Sequence, residues 1–445
     1  MLLALASIGD WVPMRWPSVD PSTLLLLRGT PVNCLLVNKV SVEFTESAKS
    51  MGVAVLLEFS KEGVVVDGPD KAKRAGMAGM VIAGARTEFL KSLDSEEFHV
   101  LSLPARYDLA VLPDSKLVGT WQGVWPGINQ IDAADKAKAA PSGAPWIDTN
   151  SGFLRFVRAW TKAPVWIANR PPEKQVINPV RYLQAIADAA MCGARWVITL
   201  DSDLEQRLMT REVKAMQAWQ RIGTLLTYIE VNKQWKNYLP GGKLAVIQDS
   251  SSGALLSGGI LDMIAVKHTP AQPVPAAVLS KDSMRGAKMA VNVDPGVLNE
   301  QQRSLVTAFT KAGGMVLTSP PGWKFPSTKP GQVTVDELAV KQLDDIWKEM
   351  NTMTGRRNLG VRLFNVGSML SNLLISSDEK TEVLHLVNYS DFPAESLTAH
   401  VLGTWKKATL LSPTAPPRKL DTYEVEDGTG IDVPLVHTFA TVVLE

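Results

Sequence analysis

Along the first 240 residues, short apolar runs alternate with segments whose apolar positions recur every three or four residues. The runs predict strands at 10–16 (DWVPMRW), 32–38 (VNCLLVN), 53–60 (VAVLLEFS), 79–85, 98–104, 117–126 (LVGTWQGVWP), 163–169 and 195–201 (RWVITLD). Helical spacing falls between them at 41–52, 68–79, 152–162 and 178–194. Strands that are apolar at nearly every position are buried on both faces, and strands joined by helices run parallel. Eight such strands predict a (β/α)8 TIM-like barrel. After the fifth strand, ARYDLAVLPDSK is too short and proline-broken for a full helix, so the barrel is expected to be irregular there. A doubly wound open sheet is the competing architecture. It calls for a glycine-rich phosphate loop after its first strand, and RWPSVDPS is not one.

A long helical segment follows over 205–238 and stops at the LPGGK breaker near Pro240. Beyond it, strand patterns at KLAVIQDSS, AKMAVNVDP and GGMVLTSPP and helical patterns at LSGGILDMIAVKHT and NEQQRSLVTAFTKAG describe a second, smaller α/β unit. From GVRLFNVG onward short strands separated by turns dominate, as in an antiparallel β-sandwich. The expected division is 1–240, 241–355 and 356–445.

Composition narrows the function. Forty-six basic against 45 acidic residues leave a net charge of +1, which supplies no field for nucleic acid or an anionic membrane. With 45% hydrophobic and 20% charged residues over 445 positions, the chain can bury a large core. No apolar run reaches 18 residues, so no membrane span is expected. The apolar opening MLLALAS has no basic flank and is short for a signal peptide. A periplasmic or secreted location follows if it is the remnant of one, a cytoplasmic location otherwise. Cys34 and Cys192 sit in apolar surroundings without zinc-ligand spacing and are expected to be buried free thiols.

The order barrel, α/β domain, small β domain, with FTKAGGMVLTSPP in the middle part and EVLHLVNYSD opening the last, resembles the beta-galactosidase group of multidomain glycoside hydrolases. That resemblance implies a Rossmann-like, class I glutamine-amidotransferase-like middle domain that has lost its chemistry and helps to build a homo-oligomer. An amidotransferase needs a cysteine nucleophile, and no cysteine follows Cys192. The group's asparagine-glutamate pair after the fourth strand and glutamate after the seventh have no counterpart in IAGARTE and IANRPPE, so its catalytic residues are not transferred.

In a barrel the chemistry gathers at the carboxyl ends of the strands. Only His99 occurs in the first 240 residues, at the start of its strand, so a histidine-held metal or a Ser-His-Asp arrangement lacks its ligands, and no cofactor is expected. Carboxylate chemistry remains, and paired carboxylates are what glycoside hydrolysis requires. Glu58 at the end of strand three, Asp201 at the end of strand eight and Asp148, in the long excursion 127–150, form the catalytic pool. Glu58 also suits a salt bridge to a nearby basic residue, and Asp148 and Asn150 suit helix capping. In DSDLEQRL, Ser202 or Asp203 is expected to cap a helix, leaving Asp201 freer to face the cavity. Ten of the thirteen tryptophans precede residue 240. Trp121, Gln122 and Trp125, with Trp16 and Trp146, suit a sugar platform, since pyranose C–H faces lie against indole while amides bond hydroxyls. Asn38, Asn150, Asn169 and Asp203 complete the expected substrate-binding set. The resulting expectation is a glycoside hydrolase acting on an oligo- or polysaccharide. A catalytically silent carbohydrate-binding protein, or a structural scaffold, is the alternative.

Overall fold

The structure, a computed structural model of the chain, describes residues 6–59, 68–84, 91–109, 115–126, 149–250, 268–319 and 357–445, with isolated positions within 261–264 and 341–355. The chain packs as two compact units. Met1–Gly123, Thr161–Ile186 and Ala194–Val231 make the first; Val124–Trp160, Ala187–Gly193 and Asn232–Glu445 make the second.

In the first unit, β1 (Pro13–Arg15), β2 (Cys34–Val37), β3 (Ala54–Phe59), β4 (Gly79–Ile82) and β5 (His99–Ser102) form a parallel sheet in chain order, with α1 (Val42–Ser50) and α2 (Gly68–Arg74) between strands. β6 (Val118–Thr120), β7 (Val165–Ile167) and β8 (Arg195–Trp196) form a second parallel sheet. Each apolar run predicted as a strand holds one of these eight. Backbone bonds link the two sheets on either side. Arg15 N donates to Ile198 O at 2.8 Å and Ile198 N to Pro13 O at 3.0 Å; Trp121 N donates to Pro104 O at 3.3 Å. One core cluster takes Leu36 from β2, Leu56 from β3, Val81 from β4, Leu101 from β5, Trp166 from β7 and Val197 just after β8. Gly119 lets β6 approach this core, because a Cβ there would sit 2.5 Å from Leu103 Cδ2 and 2.7 Å from Trp166 O.

After β5 a single turn, Arg106–Asp108, is described before β6, in keeping with its proline-broken sequence. The helices after β6 are α3 (Ser151–Trp160, in the second unit), α4 (Pro179–Met191), α5 (Ser202–Met209) and α6 (Val213–Val231). The segment 205–238, read from sequence as one helical stretch, is divided. Arg211 takes φ +59°, a left-handed conformation that stops α5 before α6 begins.

In the second unit, β9 (Leu239–Pro240) precedes a parallel sheet of β10 (Leu244–Gln248), β11 (Ala271–Pro275), β12 (Met289–Asn292) and β13 (Met315–Thr318), ordered β11-β10-β12-β13. α7 (Glu300–Lys311) follows β12 and starts with a capping box between Asn299 and Gln302. Strand β11 has no counterpart in the sequence reading. It contains Pro273 and Pro275 and lies at an edge, where missing N–H groups break no ladder inside the sheet.

The rest is antiparallel: β14 (Val361–Phe364), β15 (Met369–Ile375), β16 (Glu382–Asn388), β17 (Ala394–Leu402), β18 (Ala408–Ser412), β19 (Ala415–Leu420), β20 (Thr422–Val425), β21 (Gly428–Val436) and β22 (Phe439–Leu444). They form one sheet ordered β14-β17-β21-β20 and one ordered β19-β18-β22-β16-β15-β9. A single core cluster draws Leu397 and Ile431 from the first and Leu384 and Val442 from the second. Cys34 and Cys192 are buried and not joined in a disulfide. Among the described residues no helix is long and apolar enough to cross a membrane, and no three metal-ligating side chains gather.

Candidate functional site

A strand turns alternate side chains to the same face, and that rule locates the polar end of the first unit. On β3, Ala54 and Leu56 belong to the core cluster, and Glu58 is the next residue in their register. The same two-residue step runs from Trp166 and Ala168 to Arg170, and from Val197 to Thr199 and Asp201. Arg15, last in β1, completes the group.

These residues meet. Arg15 Nε donates to both Glu58 oxygens, at 2.8 and 3.0 Å, and its Nη1 donates to Thr199 Oγ1 at 2.9 Å. Arg170 Nη2 donates to Glu58 Oε2 at 3.0 Å. The two guanidiniums differ in setting: Arg15 is buried, whereas the Arg170 side chain is 68% exposed. Burial lowers the Arg15 pKa from its ordinary value, and the Glu58 charge works against that shift. Glu58 is thus held by one fixed and one solvent-facing cation.

Asp201 has a different task. It is the N-cap of α5, its Oδ1 accepting from Asp203 N and Leu204 N, each at 3.0 Å. Its Oδ2 accepts from Tyr182 Oη at 2.5 Å and from Ile177 N at 3.3 Å. The expectation that Ser202 or Asp203 caps this helix, leaving Asp201 free, is therefore corrected: an extended backbone at Asp201 sets its carboxylate over the first free N–H groups. Asp203 pairs instead with Arg207, one turn on, at 2.6 Å. Burial raises the pKa of the Tyr182 phenol, reinforced by its bond to Asp201.

Glu205, in the first turn of α5, is a site residue not foreseen from the sequence. Desolvation pushes its carboxyl up to about 7, with Arg170 pulling down and Asp201 pushing further up. Two carboxyl groups of opposite character thus share the influence of Arg170: Glu58, ion-paired with it, and Glu205, which keeps its proton to near neutrality.

The expected sugar platform is reduced. Trp121 is 38% exposed just beyond β6. Trp16 is buried, its indole N–H donating to Thr23 Oγ1 at 3.0 Å, and Trp125 is buried in the second unit. Gln122 is also buried: its Oε1 accepts from Arg106 N at 2.7 Å, and its carbonyl accepts from Arg106 Nε at 2.9 Å. Trp16, Gln122 and Trp125 therefore do not offer a rim to solvent, because core space or backbone donors have claimed them. Asn38 is exposed after β2, and Asn169 Nδ2 donates to Gly123 O at 2.6 Å. Trp146 and Asp148 lie outside the described residues.

Asn150 belongs to a separate, fully buried network in the second unit. Its Oδ1 accepts from Val124 N at 2.8 Å, and its Nδ2 donates to Val124 O at 2.9 Å and to Asp188 Oδ2 at 2.8 Å. Asn150 N also donates to Asp188 Oδ2 at 2.8 Å, while Tyr389 Oη donates to Asp188 Oδ1 at 2.5 Å. Asp188, another residue the sequence reading passed over, thereby ties α3, α4 and the end of β16 together.

No family model matches the sequence, and no curated protein does. Among solved structures, alpha-L-fucosidase isoenzyme 2 from Paenibacillus thiaminolyticus aligns over 100% of this chain and 98% of its own, with TM-score 0.62 and 12% identity. The beta-galactosidase from Rahnella sp. R3 aligns over 99% of each chain, with TM-score 0.53 and 9% identity. At such identities the likeness is one of fold. In fold, the chain resembles multidomain glycoside hydrolases, and its class is mixed α/β with both parallel and antiparallel sheets.

Proposed function

We propose that the protein is a glycoside hydrolase acting on an oligo- or polysaccharide, with Glu205 as the acid and Glu58 as the carboxylate that attacks or activates water. The observation that carries this is the pair of carboxyl groups around Arg170, Glu58 in a salt bridge with it and Glu205 pushed by desolvation up to about 7. Hydrolysis of a glycosidic bond needs that division: one group protonates the departing oxygen while the other is negative. Asp148 stays in the pool from which either role is drawn. Asp201, saturated by four donors, acts by fixing the start of α5 and so the position of Glu205.

The reading also takes the eight parallel strands as a closed (β/α)8 barrel. The backbone bonds from Arg15 to Ile198 and from Trp121 to Pro104, together with the shared core cluster, support closure. It divides the chain into that barrel over 1–240, a non-catalytic amidotransferase-like domain over 241–355 and a β-sandwich over 356–445. Trp121 and Asn169, beyond the adjacent strands β6 and β7, are with Asn38 beyond β2 the sugar-facing residues.

A silent carbohydrate-binding protein is the second reading, favoured by the two guanidiniums that already occupy the Glu58 oxygens. Hydrolysis of aryl glycosides and polysaccharides separates the two. An enzyme loses turnover by orders of magnitude in Glu58→Gln and Glu205→Gln while keeping the ligand. Saccharide binding with no turnover in the unaltered protein ends the enzymatic reading.

A further inference from the structure

The parallel sheet of the second unit carries a polar feature that the barrel reading does not use. The chain passes from β10 to β11 on one side and then crosses to β12 on the other, so the strand order reverses between β10 and β12. In open α/β sheets the crevice at such a reversal, outside the carboxyl ends of the strands, is where ligands bind. The last residue of β10 is Gln248 and the last of β12 is Asn292. Gln248 is fully buried, and neither its Nε2 nor its Oε1 has a hydrogen-bond partner among the described residues; the same holds for Oδ1 of buried Asn292.

Buried carboxamides are ordinarily bonded, and leaving both ends of one unmet is costly. Ile247 pairs with Asn292 in register, so Gln248 lies one residue further and leaves the sheet on the opposite face. The two amides therefore bracket the paired strand ends from both sides. The backbone around them is already engaged: Val293 N donates to Ile247 O at 2.9 Å, and Ser319 N to Asn292 O at 3.0 Å. Two carboxylates follow the same strands, with Asp249 N donating to Asp294 Oδ2 at 2.7 Å.

We propose that the crevice between β10 and β12 binds a small neutral polyhydroxylated molecule, a monosaccharide, through Gln248 and Asn292. A carboxamide both donates and accepts, as a hydroxyl does, so Nε2 and Oε1 of Gln248 match a pair of vicinal hydroxyls and Asn292 Oδ1 a further one. The adjoining Asp249 and Asp294 disfavour a phosphate or any other anion. This site is independent of the barrel and of its chemistry.

The test is titration of the full-length protein with D-galactose, L-fucose and D-glucose, read by thermal unfolding and by the side-chain amide resonances of Gln248. At least one sugar is expected to raise Tm by several degrees and to shift those resonances, with inorganic phosphate doing neither. Gln248→Met and Asn292→Leu should each weaken binding about tenfold or more, the loss of one hydrogen bond to a buried group. Should Gln248→Met not fold, the Asn292→Leu titration decides alone. The proposal is overturned if no sugar shifts the Gln248 resonances, if phosphate does so instead, or if the response survives unaltered in a folded variant.

Discussion

Two buried polar clusters, one in each unit, show how differently a carboxylate can be kept. Around Asp188 the oxygens accept from Asn150 N, Asn150 Nδ2 and Tyr389 Oη, all short contacts in a setting closed to water. Around Glu58 the partners are charged, one of them faces solvent, and a second carboxyl nearby holds its proton to about pH 7. The first arrangement fixes three chain segments. The second has a solvent-facing cation and a titrating group, which chemistry needs and packing does not. Burial of a carboxylate alone does not separate the two; the character of its partners does.

The sharpest way to break that comparison is catalytic. Glu205→Gln is expected to lower turnover about 10²- to 10⁴-fold, with Tm little changed, measured on whichever aryl glycoside the unaltered protein hydrolyses. In the unaltered protein, turnover should fall as pH rises through about 7, where Glu205 loses the proton it must donate.

Asp188→Ala should do the reverse. It leaves three donors unmet and costs about 3 kcal/mol or more of stability, read by chemical denaturation, without moving the pH profile of any activity.

Glu382 offers a third comparison. It is buried with one unpartnered oxygen among the described residues, and desolvation pushes its carboxyl up to about 8, opposed by Lys243. Between its unfolded value near 4.5 and about 8, the folded state keeps a proton that the unfolded state has lost. Stability should therefore fall as pH climbs through that window, by at most about 1.4 kcal/mol per pH unit, and level off above it. Glu382→Gln should flatten that slope.

The smallest effect is expected at Trp121. Trp121→Ala should change stability by no more than about 0.5 kcal/mol, as at an exposed position, while weakening saccharide binding.

The eight strands of the first unit were legible because a strand covered on both faces leaves an unbroken apolar run. Glu58 was legible because it interrupts such a run at its carboxyl end. Strand β11 was not, since AQPVP offers prolines where a strand pattern is sought, and only its place at an edge permits them. The role of Asp201 was misjudged by two residues at most, within DSD, where any of three side chains suits a cap and the backbone angle decides. Glu205 carried no sequence signal for its raised pKa, because desolvation depends on packing from distant segments. Asp188 did leave one: a lone acid in the apolar stretch AIADAAM of α4, which has to find donors wherever that face is buried. The platform at Trp121 was legible only in part, because alternation fades past a strand end, and contacts then decide which side chains reach water.

The prolines of β11 reach beyond their own strand. Pro273 and Pro275 stand opposite Val246 and Gln248 on one outer margin of the parallel sheet, and neither carries an amide hydrogen. A neighbouring chain seeking to extend the sheet on that side finds gaps in the row of donors it would need. Self-association by strand addition is thereby discouraged along β11, and copies of the protein that assemble through this sheet must meet by a face or by the β13 margin.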